Sequence, residues 1–452
     1  MGIATIRKHS LLKLAARLAA AGLLAHAGGA AAMGLNEAYQ AALRNDPTYL
    51  SAVAENDAGQ QNRALGRAGL LPSVSGNYSK SKNRADVTAP GPLGKEVETH
   101  PVYTSRVASI GLRQALINFD ALARYKQGAA QADLSTALFQ ARNQELVLRV
   151  VGAYVDALYA FDQVRLAQAQ RDMYAEQKNV NERLFEKGEG TRTDVLEVQA
   201  RLQLAEAQLI EARDNETTNR TTLAGLVGQE VTSLDPLAPG FRVGAPPDGS
   251  FETWKTLALE RNPDIVARTF GVEAARQEVN KNRAGHAPRL DLVASISKND
   301  SETLNTYTQD SVQRAIGIQL TVPIYSGGYA SAATRQAAAG LEKAKADLQA
   351  QKDKVVTELR KQYSAVLSGV ARIDALDKAV ASGKLLMTAT EQSIKGGVRI
   401  TVDLLNAQQQ LYASERDLAQ ARYTYLINTL RLHAAAGTLD PADVQEVAAY
   451  FH

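Results

Sequence analysis

Apolar residues recur every seven positions along two segments of the chain, and large and small members alternate. In the first segment the large members are Val195, Leu202 and Leu209, and each is followed three residues later by Val198, Ala205 or Ala212. In the second segment the large members are Leu404, Leu411, Leu418, Tyr425 and Leu432, and the small ones are Ala407, Ser414, Ala421, Asn428 and Ala435. Small residues at every second seam position let helices approach closely, so these heptads predict long helices packed side by side.

Two longer segments, 121–187 and 329–395, are predicted to be the partner helices, each about 100 Å long at 1.5 Å per residue. Glycines then reverse the chain, at Gly188 and Gly190 in the first case and at Gly396 and Gly397 in the second. These glycines have two interpretations. They end helices, which is their usual role, or they form tips at which a partner docks.

Period-two alternation predicts pairs of β-strands. Ile316, Ile318, Leu320 and Val322 share one face, and Gln319 and its neighbours share the other. Ile110, Leu112 and Leu116 form a similar face that Gln114 interrupts, and Leu290, Leu292, Ala294 and Ile296 form another. A half-buried strand of a soluble sheet has this period too. Lengths near ten residues and polar, irregular connections at 83–102 and 300–312 favour strands that cross a membrane, with Ile316, Ile318, Leu320 and Val322 facing lipid.

The pattern occurs twice. At an offset of 216, Pro47 and Pro72 fall on Pro263 and Pro288, and at 209, Gly188 falls on Gly397. We therefore predict a first repeat at 33–237, a second at 238–440 and a C-terminal tail at 441–452. Each repeat supplies two strands. Because four strands cannot close a barrel wide enough to contain anything, several chains are expected to share one barrel.

Residues 1–32 have the features of a secretory signal peptide: basic residues at the front, an apolar run and three alanines before Met33. Removing its four basic residues takes the formal net charge of +3 down by four to −1, so the charge gives no reason to expect a nucleic-acid partner. Nothing after residue 33 approaches the roughly 18 apolar residues of a membrane helix. Any membrane crossing must therefore be made by strands.

No catalytic, metal or cofactor site is predicted. The chain has no cysteine, and His100, His286, His433 and His452 lack a paired metal-ligand spacing. No phosphate loop or nucleophile elbow is present either.

The duplicated strand and long-helix units, the prolines that end a helix before each strand pair, and the tail from Tyr423 to Leu430 with Gly437-Thr438-Leu439 together resemble the TolC family of outer-membrane export ducts. The resemblance covers roughly residues 34 to 440. It implies a mainly α fold with a membrane β-barrel: a homotrimer with one twelve-stranded barrel in the outer membrane and a helical tunnel in the periplasm. It also implies that a periplasmic adaptor and an inner-membrane ABC exporter or other pump are partners.

The segment from Gly397 to Asn406 resembles the part of that family that closes the tunnel. Arg399 matches an arginine that links to neighbouring helices, Asp403 matches the first of two acids ringing the constriction, and Asn406 stands where the second acid is expected. Thr193 and Asp194 match the residues that receive the arginine. Ile394 stands where the family has a tyrosine.

Helix electrostatics is the alternative explanation for both acids. Asp194 follows Thr191 with the spacing of a capping box, and Asp194 and Asp403 lie in first helical turns, where negative charge is favourable. This alternative is weaker for Asp403, because Ile400 cannot cap a helix.

Three function classes are compatible with parts of the pattern. An export duct explains the leader, the duplication, the strands and the heptads together. A periplasmic adaptor would not need lipid-compatible strands, and a purely structural coiled coil would explain only the helices. Within the first class, resemblance to the non-lipidated branch of the TolC family, together with the missing cysteine, favours one-step secretion of a protein over drug or small-molecule efflux.

Overall fold

The computed structural model describes residues 32–238, 241–243, 249–301 and 309–452. The predicted signal peptide therefore lies outside the described residues except for its last position. The described helices include none with an 18-residue window apolar enough to cross a membrane.

The same series of elements occurs twice in chain order. Each series begins with an 11-residue helix and a helix of 22 or 21 residues, continues with a strand pair, and ends with a helix of 68 or 67 residues and one of 36. The first series comprises α1 (Leu35–Asn45), α2 (Pro47–Ala68), β1 (Ser73–Arg84), β2 (Val87–Pro90), β3 (Glu96–Thr99), β4 (Val102–Ile117), α3 (Phe119–Glu186) and α4 (Arg192–Val227). The second comprises α5 (Phe251–Arg261), α6 (Pro263–Arg283), β5 (Arg289–Ser301), β6 (Gln309–Thr321), α7 (Tyr329–Lys395) and α8 (Thr401–Ala436), and α9 (Pro441–Ala448) follows within the predicted tail. The predicted duplicated fold is confirmed.

Most members of the heptad seams are buried as predicted, while Val195, Asn428 and Ala435 are half-buried. All five large members on α8 are buried, and on α4 Val198, Ala205, Leu209 and Ala212 are buried while Leu202 is half-buried. Burying a large apolar side chain contributes about 1.5 to 3 kcal/mol, so the seams supply much of the free energy that holds these helices together.

The long strands form one antiparallel sheet in the order β1-β4-β5-β6. In its register Gly76 pairs with Ile110, Ile110 with Ile296 and Ile296 with Arg314, so even-numbered residues of all four strands share one face. Ile316, Ile318 and Leu320 lie on this face and are 79%, 66% and 63% exposed. Among the described residues, nothing pairs with the outer edges of β1 and β6.

Four local predictions for the strands are wrong in whole or in part. The connection at 83–102 is not irregular throughout, because β2 and β3 pair within it as a small hairpin. Val322 lies one residue beyond β6, since the ladder ends at Thr321. Leu116 falls at a bulge where the register shifts between Ala115 and Ile117, so it has no partner in the ladder. Strands β5 and β6 also extend into the predicted loop at 300–312, of which residues 302–308 lie outside the described part of the chain.

The chain divides into two compact units. The sheet lies in the unit formed by Ser51–Arg142 and Leu259–Val356. A charged group anchors the helix end of this sheet. Arg113 on β4 donates from Nε and a terminal nitrogen to one oxygen of Asp291 on β5, at 3.0 and 2.6 Å, and the Asp291 side chain is 4% exposed. A carboxylate so deeply buried is stable only with such pairing.

The other unit comprises the residues up to Leu50, Asn143–Ala258 and Thr357–His452. Tyr154 on α3 lies at its centre and is fully buried. Its hydroxyl donates to the carbonyls of Met33 and Asp235, at 3.0 and 3.2 Å, and its ring meets that of Phe451 edge-on at 5.5 Å. One side chain thereby ties the segment before α1, the segment after α4 and the C-terminus together.

The C-terminal helix α9 is attached to α8 by an ion pair. Nδ1 of His433 lies 3.0 Å from a carboxylate oxygen of Asp443. The hydrogen bond with Asp443 raises the pKa of His433 above its usual range, burial opposes this, and the charges of Asp443, Glu446 and Asp440 add to the rise. Burial acts against ionisation of Asp443, but hydrogen bonds from His433 and the Asp440 backbone leave the pKa of Asp443 below its usual range.

Replacing Tyr154 with Phe should destabilise the protein by about 1 to 2 kcal/mol, because the hydroxyl's hydrogen bonds to the carbonyls of Met33 and Asp235 are lost while the ring is kept. Tyr363, which aligns with Tyr154 in the second repeat, provides the matched control: its hydroxyl makes one long bond, 3.4 Å, to the carbonyl of Gly249 in an exposed setting. Tyr363→Phe should cost less than about 0.5 kcal/mol. Unfolding midpoints of the detergent-extracted variants measure both, and equal losses would contradict the assigned role of Tyr154.

Docking of α9 should weaken at alkaline pH. A histidine with a raised pKa in the folded protein stabilises it fully below the unfolded pKa of about 6.5, and the contribution is lost as pH rises through the folded value. Asp443 acts in the opposite direction and loses its contribution only near or below about pH 4. Hydrogen exchange in α9, corrected for the intrinsic rate, should therefore show more protection at pH 6 than at pH 9. His433→Gln should remove this difference, and its persistence would exclude the ion pair as the cause.

Candidate functional site

The two helix reversals, between α3 and α4 and between α7 and α8, have the same backbone structure. At the first, the amides of Gly188 and Glu189 donate to the carbonyls of Phe185 and Leu184, at 3.0 and 2.9 Å. At the second, the amides of Gly397 and Val398 donate to the carbonyls of Ile394 and Ser393, both at 2.9 Å. This is the Schellman arrangement, which satisfies the last carbonyls of a helix.

Only one glycine of each pair is required by this backbone. Gly188 and Gly397 have φ of +77° and +74°, where a side chain is strained, whereas Gly190 and Gly396 are not in that region. At Gly190 a Cβ would lie 3.2 Å from Cβ of Leu184, so close packing restricts this position instead. The helix-ending interpretation thus accounts for both turns.

Apolar side chains are nevertheless exposed at both reversals. Val398 and Ile400, beside the second turn, are 82% and 63% exposed, and Phe185, beside the first, is 44% exposed. The role of the glycines in ending the helices does not explain why these apolar side chains are exposed to solvent. Neighbouring exposed apolar residues are typical of surfaces that contact another protein.

Asp194 closes a capping box at the start of α4. Its carboxylate accepts from the backbone N–H of Thr191 at 3.2 Å and from the Thr191 hydroxyl at 2.7 Å, while the Asp194 N–H donates to that hydroxyl oxygen at 3.1 Å. The Asp194 carbonyl also accepts from Nδ2 of the buried Asn181 on α3, at 3.3 Å. Within one chain, Asp194 therefore acts as a helix-capping residue, which is the alternative explanation given for this acid.

Asp403 occupies the equivalent position in the second repeat but has no such role. The residue before α8 is Ile400, which makes no side-chain cap, and the amide of Asp403 bonds to the Ile400 carbonyl instead. The half-buried carboxylate of Asp403 has no hydrogen-bond or ion-pair partner among the described residues. Its position in the first turn of α8 remains favourable for negative charge.

Arg399 is exposed and likewise unpaired within the described part of the chain. No hydrogen bond or ion pair joins it to Thr193 or Asp194 of the same chain, and Thr193 is also exposed. Ile394, at the position where the resembled family has a tyrosine, is half-buried. The predicted arginine link is therefore not made within one chain.

Asn406 does have a partner, and this partner was not predicted from the sequence. Arg201 on α4 donates to Oδ1 of Asn406 at 3.0 Å, and its other terminal nitrogen reaches Oε1 of Gln409. Glu197 lies one turn before Arg201, with an oxygen 3.5 Å from the guanidinium. The spacing of Glu197 and Arg201 is visible in the sequence, but the cross-helix bond to Asn406 is not.

A small apolar cluster supports these polar contacts. Tyr174 on α3, Val198 and Ala205 on α4 and Leu405 on α8 are buried together, with Leu202 partly buried against them. The cluster places three helices in contact directly beside Asn406 and Arg201. The structure thus brings Asp194, Asn406 and Asp403 onto packed helix starts, and it leaves Arg399 and Thr193 facing outward.

The predicted lipid-facing residues belong to the other compact unit, on the exposed face of the sheet. Among the described residues, no group of three or more His, Asp or Glu side chains is arranged to hold a metal ion.

Comparison with known proteins identifies a family. The family described as outer membrane efflux protein matches residues 38–229 and again residues 254–438. The alkaline protease secretion protein AprF of Pseudomonas aeruginosa is 44% identical over 422 residues, covering 93% of this chain and 88% of AprF. The proteases secretion protein PrtF of Dickeya chrysanthemi is 38% identical, covering 94% and 92%. The outer membrane protein TolC of Vibrio cholerae is 29% identical, covering 92% and 93%.

Solved structures share the fold at low sequence identity. The outer membrane channel CmeC of Campylobacter jejuni superimposes with a TM-score of 0.79 at 17% identity, covering 92% of this chain and 90% of CmeC. The outer membrane protein VceC of Vibrio cholerae has a TM-score of 0.76 at 18% identity, covering 89% and 96%.

Two equivalent acids should differ in what they do for their helices. Asp194→Ala should remove the carboxylate half of the capping box, at a cost of about 0.5 to 1.5 kcal/mol to the first turn of α4, and should speed exchange of the amides from residue 192 to 195. Asp403→Ala removes no capping bond, so amides 401 to 404 should exchange at nearly the parent rate. Site-resolved hydrogen exchange measures both, and a matching loss of protection at Asp403→Ala would assign that acid a capping role as well.

Proposed function

Because the chain belongs to the outer membrane efflux protein family, we propose that it forms the outer-membrane duct of a tripartite exporter that secretes a protein in one step. The similarity to AprF and PrtF carries this proposal, since it extends over more than nine-tenths of the chain and both relatives are named for protease secretion. TolC, a relative of lower identity, supports the same family and no particular cargo.

The working form is a homotrimer. Strands β1 and β6 present open edges, and an unpaired N–H or carbonyl in lipid costs several kcal/mol. In a ring of chains β6 of one copy meets β1 of the next, and the strand directions make that pairing antiparallel, like the pairing within the chain. Three copies supply twelve strands.

The helix reversals are the docking tips for a periplasmic adaptor, which in turn holds an inner-membrane ABC exporter. The exposed Val398, Ile400 and Phe185 provide apolar contacts beside Gly188, Gly190, Gly396 and Gly397. Two tips per chain give six in a trimer.

The start of α8 forms the closed end of the duct. Asp403 has no partner in its own chain, so three copies form a ring of free carboxylates that attracts cations. Arg399 is free to bond Thr193 or Asp194 of a neighbouring copy and so to hold the helices inward. Arg201 acts within each chain, where it fixes α8 to α4 through Asn406.

Secretion provides the direct test of cargo. In Pseudomonas aeruginosa lacking AprF, this chain should restore alkaline protease to the medium, because the adaptor and pump of that system meet similar tips. The control is efflux: the same chain is expressed in Escherichia coli lacking TolC, and survival in detergent and dyes is scored. Rescue of efflux without protease secretion would favour the family's small-molecule role and overturn the proposed cargo.

Planar-bilayer recordings test the closed end. Arg399→Ser should raise conductance, since each lost pair contributes about 0.2 to 1 kcal/mol and three occur per trimer. Arg399→Lys, which keeps the charge, is the control. Asp403→Ala should weaken block by a trivalent cation such as La³⁺.

Asn406→Asp should strengthen cation block only modestly, because Arg201 would neutralise the new carboxylate. Asn406→Asp combined with Arg201→Gln should strengthen that block further. If Arg399→Ser left conductance unchanged and Asp403→Ala left block unchanged, the gate assignment would be wrong.

A further inference from the structure

Six cations lie on one face of the sheet, at the end where β1 connects to β4 and β5 to β6. They are Lys80, Lys82, Arg84, Arg106, Lys298 and Arg314, all exposed and all on the even-numbered face that also carries Ile316, Ile318 and Leu320. We refer to these six residues as the basic band. The strands carry two acids on this face, Asp300 and Asp310.

The acids leave most of the band free. Asp300 lies 3.4 Å from Arg106, and Asp310 lies 3.4 Å from Lys298. The other four cations, Lys80, Lys82, Arg84 and Arg314, have no ion-pair partner among the described residues. Even with both acids satisfied, each chain therefore presents four unneutralised cations.

At this end of the sheet the charge is confined to one face. At the same end, the odd-numbered face carries only uncharged residues, including Ser81, Asn83, Tyr103, Ser105 and Asn299. The even-numbered face, and not the odd-numbered one, is therefore the surface of this end of the sheet that attracts anions.

The inner limit of the band steps along the strands. On one face, successive rows of paired residues are two residues apart along each strand. The band begins with Arg314 on β6. The next row outward contains Lys298 on β5, and the row after that contains Arg106 on β4 and Lys80 on β1. Two rows of about 6.8 Å over three strand spacings of about 4.8 Å correspond to an angle of roughly 45°. Strands of membrane barrels tilt by about 35–45°, so a planar interface crossing them has a step of this size.

We propose that the basic band binds the phosphate groups of anionic glycolipids in the outer leaflet of the outer membrane. The inference rests on the proposed function: with the helix reversals docking a periplasmic adaptor, the strand connections lie on the outer side of that membrane. Lysine and arginine form charge-assisted hydrogen bonds with phosphate, and the adjoining apolar residues contact the acyl chains. The exposed Tyr78, at the border between the two regions, fits the interfacial position that tyrosine favours.

The test uses the detergent-extracted protein with lipid A, the phosphorylated glycolipid, in phosphatidylcholine vesicles. The variant replaces the four unpaired cations: Lys80→Gln, Lys82→Gln, Arg84→Gln and Arg314→Gln. A matched control removes four exposed lysines from α7: Lys343→Gln, Lys345→Gln, Lys361→Gln and Lys378→Gln. Each lysine or arginine near an anionic surface is worth about fivefold in affinity, so losing all four should lower the affinity for lipid A by roughly 600-fold when they act independently. The control variant should match the parent.

Two further comparisons separate charge from other causes. Lipid A should raise the temperature at which the oligomer dissociates. Vesicles with dephosphorylated lipid A should not raise it, and neither should inorganic phosphate at the same concentration. Binding of lipid A by the parent should also weaken with salt. This measurement needs no variant and decides the question if the fourfold variant does not fold.

Equal lipid A affinity of parent and fourfold variant, or binding insensitive to salt and to dephosphorylation, would overturn the inference. The proposed function is scored separately, by fractionating cells for the parent and by measuring protease secretion. The lipid inference alone is contradicted if the protein reaches the outer membrane and secretes protease but binds lipid A no better than phosphatidylcholine. The proposed function is contradicted if the protein is absent from the outer membrane, whatever its affinity for lipid A.

Discussion

The unpaired edges of β1 and β6 are the constraint on which the rest of this protein depends. A four-stranded sheet leaves two rows of backbone donors and acceptors without partners, and lipid offers none. The chain cannot remove these edges by itself, since it has four long strands in the described residues. Association with further copies is therefore a consequence of backbone hydrogen bonding.

Duplication supplied the elements, and divergence of single residues then set the individual contacts. Helices of almost identical length occur in both repeats, yet aligned positions differ in environment. Val151 is fully buried, whereas its counterpart Arg360 places its guanidinium 3.2 Å from the ring centre of Phe251. Tyr154 and Tyr363 differ in the same way. The two repeats are therefore more alike in their helices and strands than in the contacts of aligned side chains.

The two repeats also differ in whether the charged residues at the starts of α4 and α8 have partners within the chain. Thr191 engages Asp194 in a capping box, but Ile400 leaves Asp403 without one. Arg201 is held by Asn406 and Gln409, whereas Arg399 has no partner in the described chain. Groups already satisfied within a chain stabilise that chain. Arg399 and Asp403 are not satisfied within the described chain, and for this reason the proposed gate gives them roles between chains and on passing ions.

Much of the architecture was determined by the sequence alone. The heptads of α4 and α8, the helix from 329 to 395 and the exposed face of Ile316, Ile318 and Leu320 follow from residue periodicity, because helix and strand geometry dictate which side chains share a face. The capping box of Asp194 was also readable as an alternative, since it depends on neighbours three residues apart.

Other features were decided only by the tertiary structure. The bond from Arg201 to Asn406 joins residues 205 positions apart, and the basic band appears only when four strands are set in register, because its members lie up to 234 positions apart in the chain. The bulge at Leu116 and the β2–β3 hairpin within the predicted loop likewise depend on strand pairing. Local periodicity specifies faces, whereas register and helix packing specify which residues meet.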